Sequence, residues 1–126
     1  HHMAAAKAAD AVYHVELPRT AHMLRELLYS AFYVTDHTTH FYALGGPDFV
    51  IGPDAPVAER NILGVIHKVG LEIGGKVITM RKYGHHTVEI IGGRKVHPCT
   101  SIPGGLSKGI TVEQRDEIEN LGRWAV

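Results

Sequence analysis

Apolar residues recur along most of this chain at steps of three and four, the spacing that places them on one face of an α-helix. The stronger of two long patterns follows Leu17-Pro18, where proline is tolerated because the first turn of a helix does not need its N–H. The other begins near Leu71 and ends at Gly92-Gly93, the usual glycine end of a helix. We therefore expect the longest helices within residues 18–44 and 71–91. The first face contains Leu24, Leu27, Leu28, Ala31, Val34, Thr38, Phe41 and Tyr42, and the second contains Ile73, Val77, Met80, Gly84, Val88 and Ile91.

Glycine and proline divide much of the remaining sequence into shorter elements. Gly45-Gly46-Pro47 is predicted to stop the first long helix, and residues 48–56 are predicted to form a loop. A further helix is expected to start near Pro56 and to break at Gly70. Weaker periodicity over residues 4–12 predicts a short helix near the start of the chain.

The last third of the chain combines an irregular segment with a well-marked helix. Residues 94–108 contain several Gly and Pro residues and are predicted to form one long loop. Thr111 and Gln114 then form a capping box, in which each side chain satisfies a backbone N–H near the other. A final helix is therefore expected from Val112 to about Arg123. Since strand-like Val/Ile runs are too few to build a sheet, the predicted fold is all-α, with long helices and one irregular Gly/Pro-rich loop.

Composition and charge exclude several classes of protein. The chain has 126 residues, enough for one domain. We interpret residues 1–3 as the remnant of an affinity tag and residues 4–126 as a single helical domain. Lys+Arg and Asp+Glu both number 13, and this balance argues against a nucleic-acid partner, which needs a basic surface. No apolar run approaches the length of a membrane span, so no membrane partner is expected. Cys99 is the single cysteine, which excludes an internal disulfide and fits a cytoplasmic protein.

His37 and His40 are the first candidates for a metal site. Their spacing of three places both on one helix face, where a pair of imidazoles can chelate a metal. A closed zinc site needs about four ligands, however, and the chain offers only one thiol. We therefore favour the interpretation that both rings hydrogen-bond carbonyls or carboxylates within a packed helical interface, and they stay weak candidates.

The loop after the second long helix is the other candidate. Its glycines let the backbone approach a ligand closely, and Arg94 and His97 supply a fixed and a titratable donor. The loop fits the wall of a buried polar site and fits a turn with a surface arginine equally well. Cys99 could pair with His97 as nucleophile and base. Because no orienting carboxylate is evident, we expect instead a buried, inert cysteine.

Several motifs, in order and at comparable spacing, resemble the central part of the large subunit of nickel–iron hydrogenases. The resemblance is greatest to the cytosolic group that includes the coenzyme-F420-reducing and F420-non-reducing enzymes of methanogens. It extends over residues 11–119 and is more specific than any one motif. The matching segments are residues 36–49, 52–56, 60–66, 68–73, 92–94, 97–98 and 103–108.

The resemblance implies a nickel–iron centre, with cyanide and carbon monoxide on iron, in the full subunit. Two Cys-x-x-Cys pairs of that subunit hold the centre, and neither pair occurs in this chain. No cofactor is therefore expected in this chain itself. By the motif match, His97 lies beside the metal centre without binding it, and Arg94 and Pro98 shape the same wall. No certain catalytic residue and no cofactor-binding residue follow from the sequence.

The function implied is that of an internal fragment of a hydrogenase large subunit, whose parent activity is reversible oxidation of hydrogen. The fragment alone is expected to be inactive. In such enzymes the partner is an iron–sulfur small subunit, and here self-association as a homodimer is expected because covering segments are missing. The alternatives are a stand-alone binding or assembly module with a hydrogenase-like fold and a small histidine-based metal-binding protein.

Overall fold

The computed structural model describes all residues, His1–Val126, and its regular structure is almost entirely helical. The helices are α1 (His2–Tyr13), α2 (Arg19–Thr39), α3 (Ile62–Val69), α4 (Leu71–Gly92) and α5 (Val112–Ala125). Two π-helical segments, His40–Gly45 and Pro47–Ile51, follow α2. The two strands β1 (Ser101–Ile102) and β2 (Gly105–Leu106) form one short antiparallel hairpin. The predicted all-α fold and both long helices are confirmed.

The chain divides into two compact units, each made from segments of the long helices. The first unit contains His1–Phe32 together with Tyr83–Val126. Its core is apolar and joins α2, α4 and α5. The core residues are Leu28, Val88, Ile90, Ile91 and Ile118, with Leu24, Ala31, Leu106 and Ile110 packed against them. A single domain over residues 4–126 and a tag remnant at residues 1–3 stay predictions.

The second unit, Tyr33–Lys82, contains the π-helical segments and α3. Val65 of α3 is buried there, and its methyl groups lie against the backbone of Gly46. Arg60 pins the connecting loop, donating from Nη1 to the Pro53 carbonyl at 2.6 Å. None of the helices in either unit combines the length and apolar character that crossing a bilayer requires.

The predicted stop at Gly45-Gly46-Pro47 is wrong in its detail. The α-helix ends earlier, at Thr39, and the backbone then widens into π-helical turns that run through these residues. Gly46 N–H donates to the Phe41 carbonyl, five residues back. Such wide turns suit Pro47, because its ring and missing N–H are incompatible with a regular α-helical bond.

The predicted loop over residues 48–56 and the helix start near Pro56 are displaced as well. The second π-helical segment continues to Ile51, so the loop begins at Gly52, which has φ 116°. The helix begins only at Ile62, because Asn61 Oδ1 accepts hydrogen bonds from the amides of Leu63 and Gly64 at 2.9 and 3.1 Å. An asparagine cap is a strong helix start, and it outweighs the proline signal upstream.

The stops at Gly70 and Gly93 and the capping box at Thr111 are confirmed. Gly70 and Gly93 have φ values of 91° and 79°, in the region that favours glycine. The Thr111 hydroxyl accepts from the Gln114 amide at 3.2 Å, and the Gln114 side chain accepts from Thr111 N–H at 3.0 Å. These signals act within a few residues, which explains why sequence alone locates them.

We expect Gly92→Ala to destabilise the chain. A Cβ at Gly92 would lie 2.4 Å from Pro98 Cβ and 3.3 Å from a methyl of Leu28, so the rigid proline or the core must move. Overpacking of this kind costs roughly 1–3 kcal/mol. Gly75→Ala, in the same helix with no neighbour within 4 Å of the added methyl, is the matched control and should stabilise by about 0.5–1 kcal/mol. Urea unfolding followed by circular dichroism measures both, and a Gly92→Ala chain as stable as the parent would contradict the close packing.

Candidate functional site

The loop over residues 94–108 is fixed at its base to the end of α4. The Cys99 amide donates to the Gly92 carbonyl at 2.9 Å, so the chain returns to the helix end after a short excursion. The hydroxyl of Thr100, which is buried, donates to the Ile91 carbonyl at 2.9 Å. The base of the loop is therefore held by backbone and side-chain hydrogen bonds of this chain alone.

The residues predicted to shape a wall lie in this excursion. Arg94 and His97 are exposed, and Pro98 is half-buried against Gly92. His97 has φ 57°, a left-handed conformation that is uncommon outside glycine. Nearby, Nδ1 of His85 lies 3.0 Å from the Lys95 carbonyl. The structure brings Arg94, His97 and Pro98 together on one short segment, as predicted, and the roles assigned to them stay predictions.

The tip of the loop, residues 102–105, is held by a buried ion pair that sequence reasoning missed. Asp10 of α1 and Arg25 of α2 are both buried, and Arg25 Nη1 lies 2.5 Å from Asp10 Oδ2. Arg25 Nη2 donates to the Ile102 and Gly105 carbonyls at 2.7 and 2.8 Å. The Gly104 amide donates to Asp10 Oδ1 at 2.8 Å. No motif marks either residue, since Asp10 lies in an alanine-rich segment and Arg25 in an ordinary amphipathic pattern.

These contacts lower the pKa of Asp10 below its ordinary value. The largest cause is the hydrogen bond from Arg25, followed by the Gly104 amide, and both favour the charged carboxylate more than burial disfavours it. Asp10 is therefore an anion at neutral pH and an acceptor for the loop.

His37 and His40 do not gather further metal ligands. Nδ1 of His37 lies 2.9 Å from the Tyr33 carbonyl, and its ring stacks on the Tyr33 ring with centroids 4.6 Å apart. His40 is exposed. No group of three or more His, Cys, Asp or Glu side chains that could hold a metal ion occurs in the chain. For His37, a hydrogen bond to a carbonyl is the arrangement that we favoured from the sequence.

The prediction of a buried Cys99 is wrong. The thiol is exposed, because the neighbouring Thr100 occupies the inward position and the chain direction alternates there. An exposed thiol alone does not make a reactive site, and no carboxylate orients His97 towards it.

The largest surface hollow, of about 930 Å³, lies in the second unit and involves none of the predicted site residues. Its walls combine the loop before α3 with the polar side of α3. The lining residues are Ile51, Ala55, Ala58, Glu59, Asn61, Leu63, Gly64, His67 and Lys68. Size does not make this hollow the site, since it collects no buried charged group and no close set of donors.

Comparison with known proteins confirms the predicted resemblance. The model of the nickel-dependent hydrogenase family matches residues 1–61. One chain of the F420-non-reducing hydrogenase vhu of Methanocaldococcus jannaschii is 48% identical over 94% of this chain. The beta chain of the NAD-reducing hydrogenase HoxS of Cupriavidus necator is 33% identical over 95%. This chain spans only 28% and 26% of those two proteins.

A solved structure gives the same result for the fold. The crystal structure of an NAD+-reducing [NiFe]-hydrogenase in the H2-reduced state matches 98% of this chain with a TM-score of 0.87 and 31% identity. The match uses 28% of that chain. The helical arrangement described above is therefore that of part of a nickel–iron hydrogenase.

We expect the stabilising effect of Asp10 to disappear in acid. Because its pKa is lower in the folded chain than in the unfolded one, the carboxylate stabilises the fold above about pH 4 and loses this effect as pH falls further. Asp10→Asn removes the titration, so the difference in unfolding free energy between parent and variant should shrink from pH 7 towards pH 3. Lys7, His22 and Glu26 line the same small hollow and are common to both chains. A difference that stays constant across this range in urea titrations would contradict the assignment.

Proposed function

Because the chain corresponds to part of a nickel–iron hydrogenase large subunit, we propose that it forms a helical wall beside the metal centre of such a subunit. The observation that carries the proposal is the loop at the end of α4, which is fixed at base and tip and displays Arg94 and His97 outward. Arg94, His97 and Pro98 would lie beside the centre without binding metal. The activity of the whole subunit would be the reversible oxidation of hydrogen.

The residues present do not fit a nickel–iron centre by themselves. Nickel in such a centre requires several thiolates, and Cys99 is the one thiol of the chain. It stands alone, since no cluster of three potential ligands surrounds it. Arg94 cannot be a ligand because a guanidinium has donors only. The chain would therefore shape the surroundings of the centre, and other residues would hold the metal.

Two partners belong to this proposal. One is an iron–sulfur small subunit, as the resemblance implies. The other is a second copy of this chain, since many large apolar side chains are exposed. On α4 these are Leu71, Ile73 and Ile78, and on α2 they are Met23, Leu27, Phe32, Tyr33 and Val34. A cytoplasmic location completes the proposal and is supported by the single cysteine.

Nothing in the site favours the alternatives. A histidine-based metal protein needs clustered ligands, and His37 is instead stacked on Tyr33 and bonded to its carbonyl. A stand-alone binding module needs a groove with convergent polar groups, and the largest hollow has no such set.

We expect the purified chain neither to bind nickel stoichiometrically nor to reduce a viologen dye under hydrogen. The reason is the ligand count, since one thiol cannot replace a four-thiolate site. Elemental analysis after incubation with Ni²⁺, and dye absorbance against a no-protein control, measure the two quantities. Hydrogen-dependent dye reduction that is lost in His97→Ala would overturn the proposal.

We expect the chain to form homodimers through its long helices. Leaving a large apolar side chain in water forgoes roughly 1.5–3 kcal/mol, so pairing these faces is favourable. Ile78→Glu, at a site 65% exposed on α4, should weaken dimerisation more than about tenfold. Lys82→Glu, on the same helix and also exposed, is the matched control and should change it little. Light scattering over a concentration series decides this, and a monomer mass at high concentration would refute self-association.

A further inference from the structure

We propose that Asp10 and Arg25 are positioning residues that hold the tip of the loop over residues 94–108 in register with the end of α4. The inference deepens the proposed function, since it concerns how the wall loop keeps its shape. It assigns a role to a buried ion pair that no motif and no metal chemistry explains.

The hairpin at the tip cannot hold itself. Its ladder consists of only the pairs Ser101↔Leu106 and Ile102↔Gly105. Isolated two-stranded hairpins are at best marginally stable in water, and this one is shorter than most. The turn is Pro103-Gly104, with Gly104 at φ 80°. That sequence and conformation are typical of a type II turn, which splays the flanking strands compared with the turns that hairpins prefer.

The ion pair supplies the contacts that the hairpin lacks. Arg25 Nη2 reaches carbonyls on both strands, at Ile102 and Gly105, and so bridges them from the side. Asp10 accepts from the Gly104 amide within the turn itself. One residue therefore binds the acceptors of the tip and the other binds its donor. Since the side chain of Arg25 is only 4% exposed, water competes little for these bonds.

The identity of both residues follows from this geometry. A guanidinium has donors on two terminal nitrogens, so Arg25 can engage Asp10 and two carbonyls together. A lysine at this position would present a single nitrogen and could not span them. A carboxylate accepts on both oxygens, and Asp10 uses one for Gly104 and both for Arg25.

The tip and the predicted wall residues meet at Thr100. Its carbonyl accepts from the Ser107 amide at 2.8 Å, and its hydroxyl donates to Ile91 in α4. The hairpin on one side of Thr100 and the segment that carries His97 and Pro98 on the other therefore share an anchor. Freeing the tip removes one of the two supports of this anchor.

The test follows the Gly104 amide proton by NMR in the full chain. Asp10→Ala should raise its exchange with solvent at least tenfold and leave the Val88 amide in the α4 core unchanged. Asp10→Asn keeps an acceptor oxygen and should retain most of the protection. Asp116→Ala, which removes the carboxylate of the exposed Arg115–Asp116 pair, is the matched control. In the parent chain the Gly104 proton shift should also follow the titration of Asp10, and this dependence should vanish in Asp10→Asn.

Gly104 exchange within twofold of the parent in a folded Asp10→Ala chain would overturn the inference. So would a Gly104 shift that titrates equally in the parent and in Asp10→Asn. Where Asp10→Ala does not fold, the pH dependence of the shift in the other two chains decides. None of these readouts involves nickel or hydrogen, so this inference and the proposed function can fail independently.

Discussion

The contact between Arg25 and Asp10 orders the first unit where its apolar core does not reach. The core joins α2, α4 and α5 through aliphatic side chains, and Leu106 is the one residue of the hairpin that packs against it. The rest of the tip is backbone, Pro and Gly, with little apolar area to bury. Polar contacts must therefore fix its position, and they do so only because their partners are buried and mutually satisfied. Helix packing, loop shape and the display of His97 all depend on that arrangement.

Sequence reasoning located the elements whose signals are local. The end of α4 needs a residue at positive φ, which glycine supplies, and the start of α5 is encoded by two side chains three residues apart. The π-helical segments after α2 could not be predicted in this way. Their wide turns depend on Gly46 lying against Val65, a contact between residues far apart in the chain. The same holds for α3, where the cap at Asn61 competes with an upstream proline signal.

The candidate site shows the same division. Its motif and its glycines mark the loop, because backbone conformation restricts which residues are tolerated there. Its supports are invisible in the sequence, because Asp10 lies 94 residues from Gly104 and Arg25 lies 77 residues from Ile102. An acidic residue in an alanine-rich helix carries no mark of its partner. The outward orientation of Cys99 also depends on a distant choice, since the Thr100 hydroxyl takes the inward position to reach Ile91.

The two units differ in how far their own residues cover their apolar surface. Of the buried apolar residues, Val65 alone belongs to the second unit, and the others belong to the first. In the second unit Phe49 and Leu71 are 86% and 83% exposed. A unit with so little buried apolar surface has a small free energy opposing local unfolding. Its order therefore depends more on whatever covers these side chains than on its own packing. In a hydrogenase large subunit, neighbouring segments would provide that cover, and in the isolated chain a second copy offers the same chemistry.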